Sequence, residues 1–192
     1  MRTRQNVGEI TFPGIRPAMA SLTPELAQRI ANLKVLVVDD ELTMRKVTRS
    51  LLQAIGVKTI FEAHDGRAGL DAVCNAPPDI IILDWEMPSP NGPEFMRHLR
   101  SPKNFPFPDV PVVMLTAYGE RSRVVEAVRL GVNEYLLKPV SSSALLARLV
   151  SIVTKPRRMV KNGDYYGPEP RAFSSYKPDP DAGLSSEIVL IS

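Results

Sequence analysis

The chain has 192 residues, which is enough for one domain with a sizeable core plus extensions. Its formal net charge is +3. Acids and bases balance over residues 34–154, so we expect no dedicated nucleic-acid surface, and the single cysteine, Cys74, excludes an internal disulfide and fits a reducing compartment. We find no apolar secretory segment at the N-terminus and no apolar run long enough for a membrane span, and therefore expect a cytoplasmic protein without membrane contact.

The first 33 residues read as an N-terminal extension with one short helix from about Pro24 to Leu33. Thr23 suits the N-cap, Pro24 the first helical position and Glu25 the first turn. The apolar residues of this segment recur at helical spacing, so we expect the helix to pack on the domain or on a partner. These residues are Leu26, Ile30 and Leu33.

Between residues 34 and 154 the chain alternates five times between an apolar, β-branched run and a helical pattern. The strands are expected at 34–38, 57–62, 79–83, 111–115 and 133–137. The helices are expected at about 41–54, 65–75, 92–100, 119–130 and 141–153. Nearly continuous apolar strands are typical of a parallel sheet buried on both faces, and right-handed crossovers then give a doubly wound α/β sandwich of three layers.

Polar and charged side chains stand where four of these strands end. They are Asp39 and Asp40 after the first strand, Asp84 after the third, Thr116 after the fourth and Lys138 after the fifth. Open α/β folds place their sites at the carboxyl edge of the sheet, where parallel strands end together. We therefore expect a compact charged pocket at this edge.

With these residues, the chain resembles the receiver domain of a two-component response regulator of the CheY-like superfamily over about residues 34–154. The motifs are Asp39-Asp40, Asp84 in Asp-Trp-Glu-Met-Pro, Thr116-Ala117, Tyr135 and Lys138-Pro139, in the family's order and near its spacings. The resemblance implies a flavodoxin-like fold with a five-stranded parallel sheet in the order 2-1-3-4-5. It also implies a cis peptide bond between Lys138 and Pro139.

Three converging carboxylates repel one another unless a cation or a proton intervenes, and Mg²⁺ suits a site of carboxylates, waters and an incoming phosphate. The resemblance implies that Asp40 and Asp84 bind this ion through their side chains. It implies a backbone carbonyl ligand from Glu86 and a water-mediated role for Asp39.

The same resemblance makes Asp84 the phosphorylation site, whose carboxylate attacks a phosphohistidine or a small phosphodonor and forms an aspartyl phosphate. The phosphoryl oxygens are then expected to contact the Lys138 ammonium, the Thr116 hydroxyl and the amides of Trp85 and Ala117. Such a site acts mainly by placing positive charge and hydrogen-bond donors around the transferring phosphoryl group.

Two further roles follow from the resemblance. Thr116 and Tyr135 are expected to form the switch, with Tyr135 rotating from exposed to buried when Thr116 turns toward the phosphoryl group. Glu86 and Tyr118, two positions beyond Asp84 and Thr116, are expected to tune hydrolysis. A bulky Tyr118 that shields the acyl phosphate gives slow autodephosphorylation, the one catalytic turnover that we expect.

The surface formed by residues 119–153 is rich in apolar side chains, which is typical of a partner or dimer surface but equally of plain core. The segment 155–192 is rich in proline and lacks helical periodicity, so we expect an extended or disordered tail. Its end, residues 186–192, is apolar and strand-like, and the alternative is an arm that docks on a sheet edge or mediates dimerisation. We interpret the proline-rich loop 101–111 as structural variation on the face opposite the site.

We therefore expect a stand-alone receiver that takes a phosphoryl group from a histidine kinase or a phosphotransfer protein and either relays it or binds a downstream protein. The tail shows no pattern of a helix-turn-helix, and we expect no nucleic-acid partner. The alternative is a phosphatase or phosphotransferase that turns over through an aspartyl phosphate. Haloacid dehalogenase-like enzymes use such chemistry, but their nucleophile is the first aspartate of an Asp-x-Asp pair after the first strand, which this chain lacks.

Overall fold

The structure, a computed structural model, describes residues 22–117 and 119–170. Its helices are α1 Pro24–Ala31, α2 Leu42–Ile55, α3 Gly66–Asn75, α4 Gly92–Leu99, α5 Arg121–Arg129 and α6 Ser142–Thr154. Its strands are β1 Lys34–Val38, β2 Thr59–Ala63, β3 Ile80–Asp84, β4 Val112–Thr116, β5 Glu134–Leu137, β6 Met159–Asn162 and β7 Tyr165–Pro168. No helix in these two ranges is both long enough and apolar enough to cross a membrane.

Strands β1 to β5 form one parallel sheet in the order β2-β1-β3-β4-β5, which confirms the predicted fold class and strand order. The sheet separates two apolar clusters, as the nearly continuous apolar strands require. One cluster includes side chains of α3, α4 and α5, and the other includes side chains of α1, α2 and α6. All strand ends that carry the expected site residues therefore lie at one edge.

The N-terminal extension contributes helix α1 to the second of these clusters. The Thr23 hydroxyl accepts a hydrogen bond from the Leu26 amide at 3.3 Å, which confirms the predicted N-cap. Ile30 is fully buried, and the Arg29 guanidinium donates to the carbonyl of Val153 at the end of α6 at 2.8 Å. The helix therefore packs on the domain, which is one of the two possibilities predicted from the sequence.

Many of the apolar side chains of α6 are buried against α1 and the sheet. Leu145, Leu146 and Leu149 are buried, and Val150 and Ile152 pack against the same cluster. These residues therefore belong to the core and do not form a partner surface.

The expectation of an extended tail is wrong for residues 159–168. Strands β6 and β7 form an antiparallel hairpin with Asn162 paired to Tyr165. The two-residue turn between them begins at Gly163, whose φ of 58° lies in the left-handed region that such turns require. The strand-like segment 186–192 lies outside the described residues.

The hairpin docks on the proline-rich loop and on the residues that lead into β5. Tyr166 donates a hydrogen bond through its hydroxyl to Asp109, and Arg157 donates to the carbonyl of Asn133. Gly131 approaches the hairpin so closely that an added Cβ would lie 2.7 Å from the carbonyl oxygen of Tyr166. The loop 101–111 is therefore a docking platform at the edge of the sheet opposite the site, in addition to being an insertion.

Candidate functional site

Three aspartates converge at the carboxyl edge of the sheet. Asp39 and Asp40 follow β1, Asp84 ends β3, and β1 and β3 are neighbours in the sheet. One carboxylate oxygen from each residue lies within 4.8 Å of the other two. Asp39 and Asp84 are buried at 2% and 4% exposure, whereas Asp40 is exposed, so the cluster opens to solvent on the Asp40 side.

Lys138 brings a positive charge into this cluster from across β4. Its Nζ lies 2.8 Å from Oδ1 of Asp84 and 3.1 Å from Oδ2 of Asp39. Its backbone is fixed by a 2.7 Å hydrogen bond from the Lys138 amide to the carbonyl of Thr116, and the bond to Pro139 is cis, as expected. Burial opposes the charge of Lys138, but the two carboxylates outweigh it and raise the pKa of the lysine.

Burial raises the pKa of Asp84 to about 6, and the neighbouring charge of Asp39 adds to this effect. The Lys138 ammonium and the backbone amide of Glu86 act in the opposite direction, because both stabilise the carboxylate. Asp84 is thus a carboxylate at neutral pH, but one that a further cation would stabilise.

The donor set fits a hard divalent cation. Three carboxylates supply oxygen ligands, and one lysine cannot neutralise three negative charges. The contact of Asp84 Oδ1 with Lys138 is an ion pair without the alignment of a hydrogen bond, which leaves this buried oxygen without a hydrogen-bond donor among the described residues. An oxygen in that position is suited to metal coordination.

Arg45 holds the backbone that carries the first two aspartates, and the sequence did not single it out. Its guanidinium donates to the carbonyls of Asp39 at 2.7 Å and Asp40 at 3.1 Å. The Asp39 carboxylate in turn accepts from the Glu41 amide at 2.9 Å at the start of α2. The turn is therefore rigid before any ligand binds. No local pattern marks Arg45, because its role depends on the packing of α2.

The structure does not support one expected phosphate contact, that of the Trp85 amide. The Trp85 amide donates to the carbonyl of Leu115 at 2.8 Å and continues the β3–β4 ladder, so it does not face the pocket. The backbone amide that stabilises the Asp84 carboxylate and lowers its pKa is that of Glu86. Backbone donors of a strand end alternate in direction, and the position two residues after Asp84 is the one that faces the site.

This segment also needs a glycine where α4 begins. A Cβ at Gly92 would lie 2.6 Å from the carbonyl oxygen of Asp84 and 2.8 Å from Cα of Trp85. The Gly92 amide donates to the carbonyl of Trp85 at 3.1 Å. Close approach of two backbones therefore fixes the position of Asp84.

The two expected switch residues are both buried, Thr116 at 0% and Tyr135 at 6% exposure. Burial raises the pKa of the Tyr135 phenol, and a hydrogen bond with the Thr116 hydroxyl opposes this rise. The structure thus holds Tyr135 in the buried orientation that was expected only after phosphorylation. Ala117 is exposed beside the site, and Tyr118 lies outside the described residues.

Glu86, two residues beyond Asp84, has an exposed side chain and a partner that the sequence analysis missed. Its carboxylate is 3.7 Å from a guanidinium nitrogen of Arg123 on α5. The same guanidinium lies over the ring of Trp85, 5.5 Å from the ring centroid, at a distance typical of cation–π contacts.

Comparison with known proteins agrees with this geometry. Residues 35–150 match the model of the response regulator receiver domain. The chain belongs to this family. Chemotaxis protein CheY-3 of Vibrio cholerae is 34% identical over 121 residues, which cover 63% of this chain and 92% of that protein. Chemotaxis protein CheY1 of Helicobacter pylori is 34% identical over 118 residues, which cover 61% of this chain and 94% of that protein.

Solved receiver structures are similar as well. The structure of V. cholerae CheY4 at low pH aligns with a TM-score of 0.55 at 34% identity, covering 62% of this receiver chain and 97% of its own. The receiver domain of the Francisella response regulator 1452 aligns with a TM-score of 0.58 at 28% identity, covering 65% of this chain and all of its own. The family match covers the five-stranded domain.

Proposed function

We propose that this receiver accepts a phosphoryl group on Asp84 from a phosphohistidine of a histidine kinase or a phosphotransfer protein, in a reaction that depends on Mg²⁺. The observation that supports this most is the placement of the buried Asp84 carboxylate beside Lys138 and within reach of two further aspartates. Turnover of a separate substrate is not part of the proposal.

The residues that would hold Mg²⁺ are Asp40 and Asp84 through their carboxylates, Glu86 through its carbonyl and Asp39 through a water. When bound, the ion supplies positive charge that offsets the repulsion between an anionic phosphoryl group and the pocket. Asp40 and Glu86 are both exposed, and an ion and a phosphodonor would enter the pocket between them.

In the proposed reaction an oxygen of the Asp84 carboxylate forms a bond to phosphorus while the bond from phosphorus to the histidine nitrogen breaks. The second ring nitrogen of the phosphohistidine carries a proton, so the imidazole leaves neutral and an aspartyl phosphate remains. Lys138 balances charge on the phosphoryl oxygens, and Thr116 and the amides of Glu86 and Ala117 donate hydrogen bonds to them. Each donor sits on a strand end or the turn that follows it.

The output in this proposal is a shift in the surface of residues 119–153. The Thr116–Tyr135 hydrogen bond connects the pocket to β5. Val125 and Leu137 on this surface are 41% and 42% exposed. A phosphoryl group that recruits the Thr116 hydroxyl removes this bond and changes how Tyr135 packs. A downstream protein or a second copy of the chain would bind the altered surface.

The test is phosphoryl transfer from an isotopically labelled histidine phosphotransfer domain to the purified chain. We expect label on the chain in Mg²⁺ buffer and none when EDTA removes the metal. Return of the label to an unlabelled histidine domain would indicate a relay, and retention with capture of another protein would indicate an output module. Equal transfer with and without metal would overturn the proposed dependence on Mg²⁺.

A further inference from the structure

We infer that Arg123 is a positioning residue that neutralises Glu86 at the mouth of the pocket and so favours the approach of anionic phosphodonors to Asp84. This inference rests on the proposed phosphorylation of Asp84 and adds a residue to it. Arg123 would act through Glu86 and not by contact with the reacting atoms.

The negative charge of Glu86, at what the inference takes as the mouth of the pocket, opposes the approach of an anionic phosphodonor. The Glu86 backbone amide acts on the Asp84 carboxylate, and the Glu86 side chain is 38% exposed. In this inference the Glu86 carboxylate stands beside the path of an incoming phosphodonor. Phosphodonors are anions, and a negative charge beside the pocket lowers the rate at which they reach Asp84. An unpaired carboxylate at this position would slow phosphorylation.

Arg123 is placed to offset that charge. Its guanidinium lies 3.7 Å from the Glu86 carboxylate and stacks over the Trp85 ring. Trp85 is only 4% exposed, so it offers a fixed surface for the guanidinium. Stacking lowers the entropy that an exposed ion pair normally costs, because the guanidinium is already oriented before Glu86 binds it.

The same pair of charges reaches the switch residue. Arg123 and Glu86 both act on the Tyr135 phenol, with opposite effects on its pKa. Arg123 is part of the 119–153 surface and contacts Trp85 and Glu86 in the segment after Asp84. A basic residue on the first turns of α5 that pairs with Glu86 ties the two regions together.

The inference is tested by phosphorylation rates at pH 7 in Mg²⁺ with two small donors. Acetyl phosphate is dianionic at this pH, and phosphoramidate carries one net negative charge. In each reaction the Asp84 oxygen bonds to phosphorus, and acetate or ammonia leaves. We expect Arg123→Ala to slow acetyl phosphate about fivefold and phosphoramidate less, and high salt to reduce the difference. Arg129→Ala, on the last turn of α5, removes the same charge away from the pocket and should leave both rates unchanged.

A double variant separates action through Glu86 from direct action on the donor. In a Glu86→Gln background, Arg123→Ala should have no further effect on either rate. A loss that persists in that background, or one that is equal for both donors, would overturn the inference. If the parent chain takes up no phosphoryl group from either donor, the proposed function fails as well, and the two failures are thus distinct.

A second readout does not depend on the reaction. Trp85 is the only tryptophan in the chain, so its fluorescence reports the ring on which Arg123 stacks. In metal-free buffer we expect Arg123→Ala to shift the Trp85 emission and Arg129→Ala to leave it unchanged. An unchanged spectrum for Arg123→Ala would show that the guanidinium does not rest on the ring in solution.

Discussion

Replacement of Arg100 by methionine is expected to lower the free energy of unfolding by about 3–5 kcal/mol. The Arg100 guanidinium is buried at the end of α4 and donates to the carbonyls of Gly131, Pro108 and Val110 and to the side chain of Asn133. Methionine fills similar space but donates nothing, so these acceptors lose their partner in an interior from which water is largely excluded.

Urea unfolding of the parent and the variant measures this loss. Arg97→Met, which removes a charge from an exposed position on the same helix, should cost less than about 0.5 kcal/mol. Because Arg100 lies at the opposite edge of the sheet from Asp84, Mg²⁺ binding at low denaturant should not change. A loss no larger for Arg100→Met than for Arg97→Met would show that the buried network does not hold the loop, the start of β5 and the hairpin together.

Asp84→Asn is expected to stabilise the metal-free fold at pH 7.5 by about 1–3 kcal/mol. Burial holds the pKa of Asp84 at about 6 in the folded chain, above the ordinary value of an aspartate in an unfolded chain. The folded state therefore binds the proton more tightly, so this residue's stabilising contribution is complete below about pH 4 and is lost as the pH rises through about 6. Asparagine does not titrate and avoids that loss, and Lys138 keeps Asp39 as its partner.

Thermal unfolding of both chains in EDTA between pH 4 and pH 8 is the measurement. The gap between the variant and the parent should be small near pH 4, open between pH 4 and 6 and remain constant above pH 7. Saturating Mg²⁺ should narrow it, because the ion binds the parent through the carboxylate that the variant lacks. A gap that is constant over the whole range would mean that Asp84 titrates normally in the folded chain.

Most of the sheet could be predicted because its strands carry their own signal. Five apolar runs with polar residues at their ends specify a buried parallel sheet, and the helices between them begin and end within a few residues of their predicted limits. Strand order came from the family resemblance, since spacing along the chain does not specify which strands are neighbours. The three aspartates and Lys138 lie together because all of them follow strands that end at one edge.

The hairpin was missed because a weak local signal was outweighed by composition. Asn162-Gly163-Asp164 is a turn signal between residues with strand propensity, but the prolines that follow favoured an extended chain. Its stability depends on distant partners, among them the close approach of Gly131 and the Asp109 carboxylate. Contacts of that range are not visible in a short window of sequence.

The supporting residues of the site were missed for a similar reason. Arg45 and Arg123 each lie on a helix, and only the packing of that helix on the sheet brings them to the pocket. The wrong choice of the Trp85 amide has a different origin, because the direction of a backbone N–H at a strand end depends on ladder register. Residues that act through side chains on strand ends were thus easier to predict than those that act through backbone groups or from helices.

The most direct test of the account is the intact mass of the purified chain after incubation with acetyl phosphate and Mg²⁺, with Asp84→Asn treated in parallel. We predict one added phosphoryl group on the parent, its absence in EDTA, and no added mass on the variant. Equal labelling of parent and variant would place the acceptor elsewhere and contradict the role of Asp84. No labelling of the parent by acetyl phosphate or by phosphorylated histidine domains would contradict phosphoryl acceptance itself while leaving the receiver fold intact.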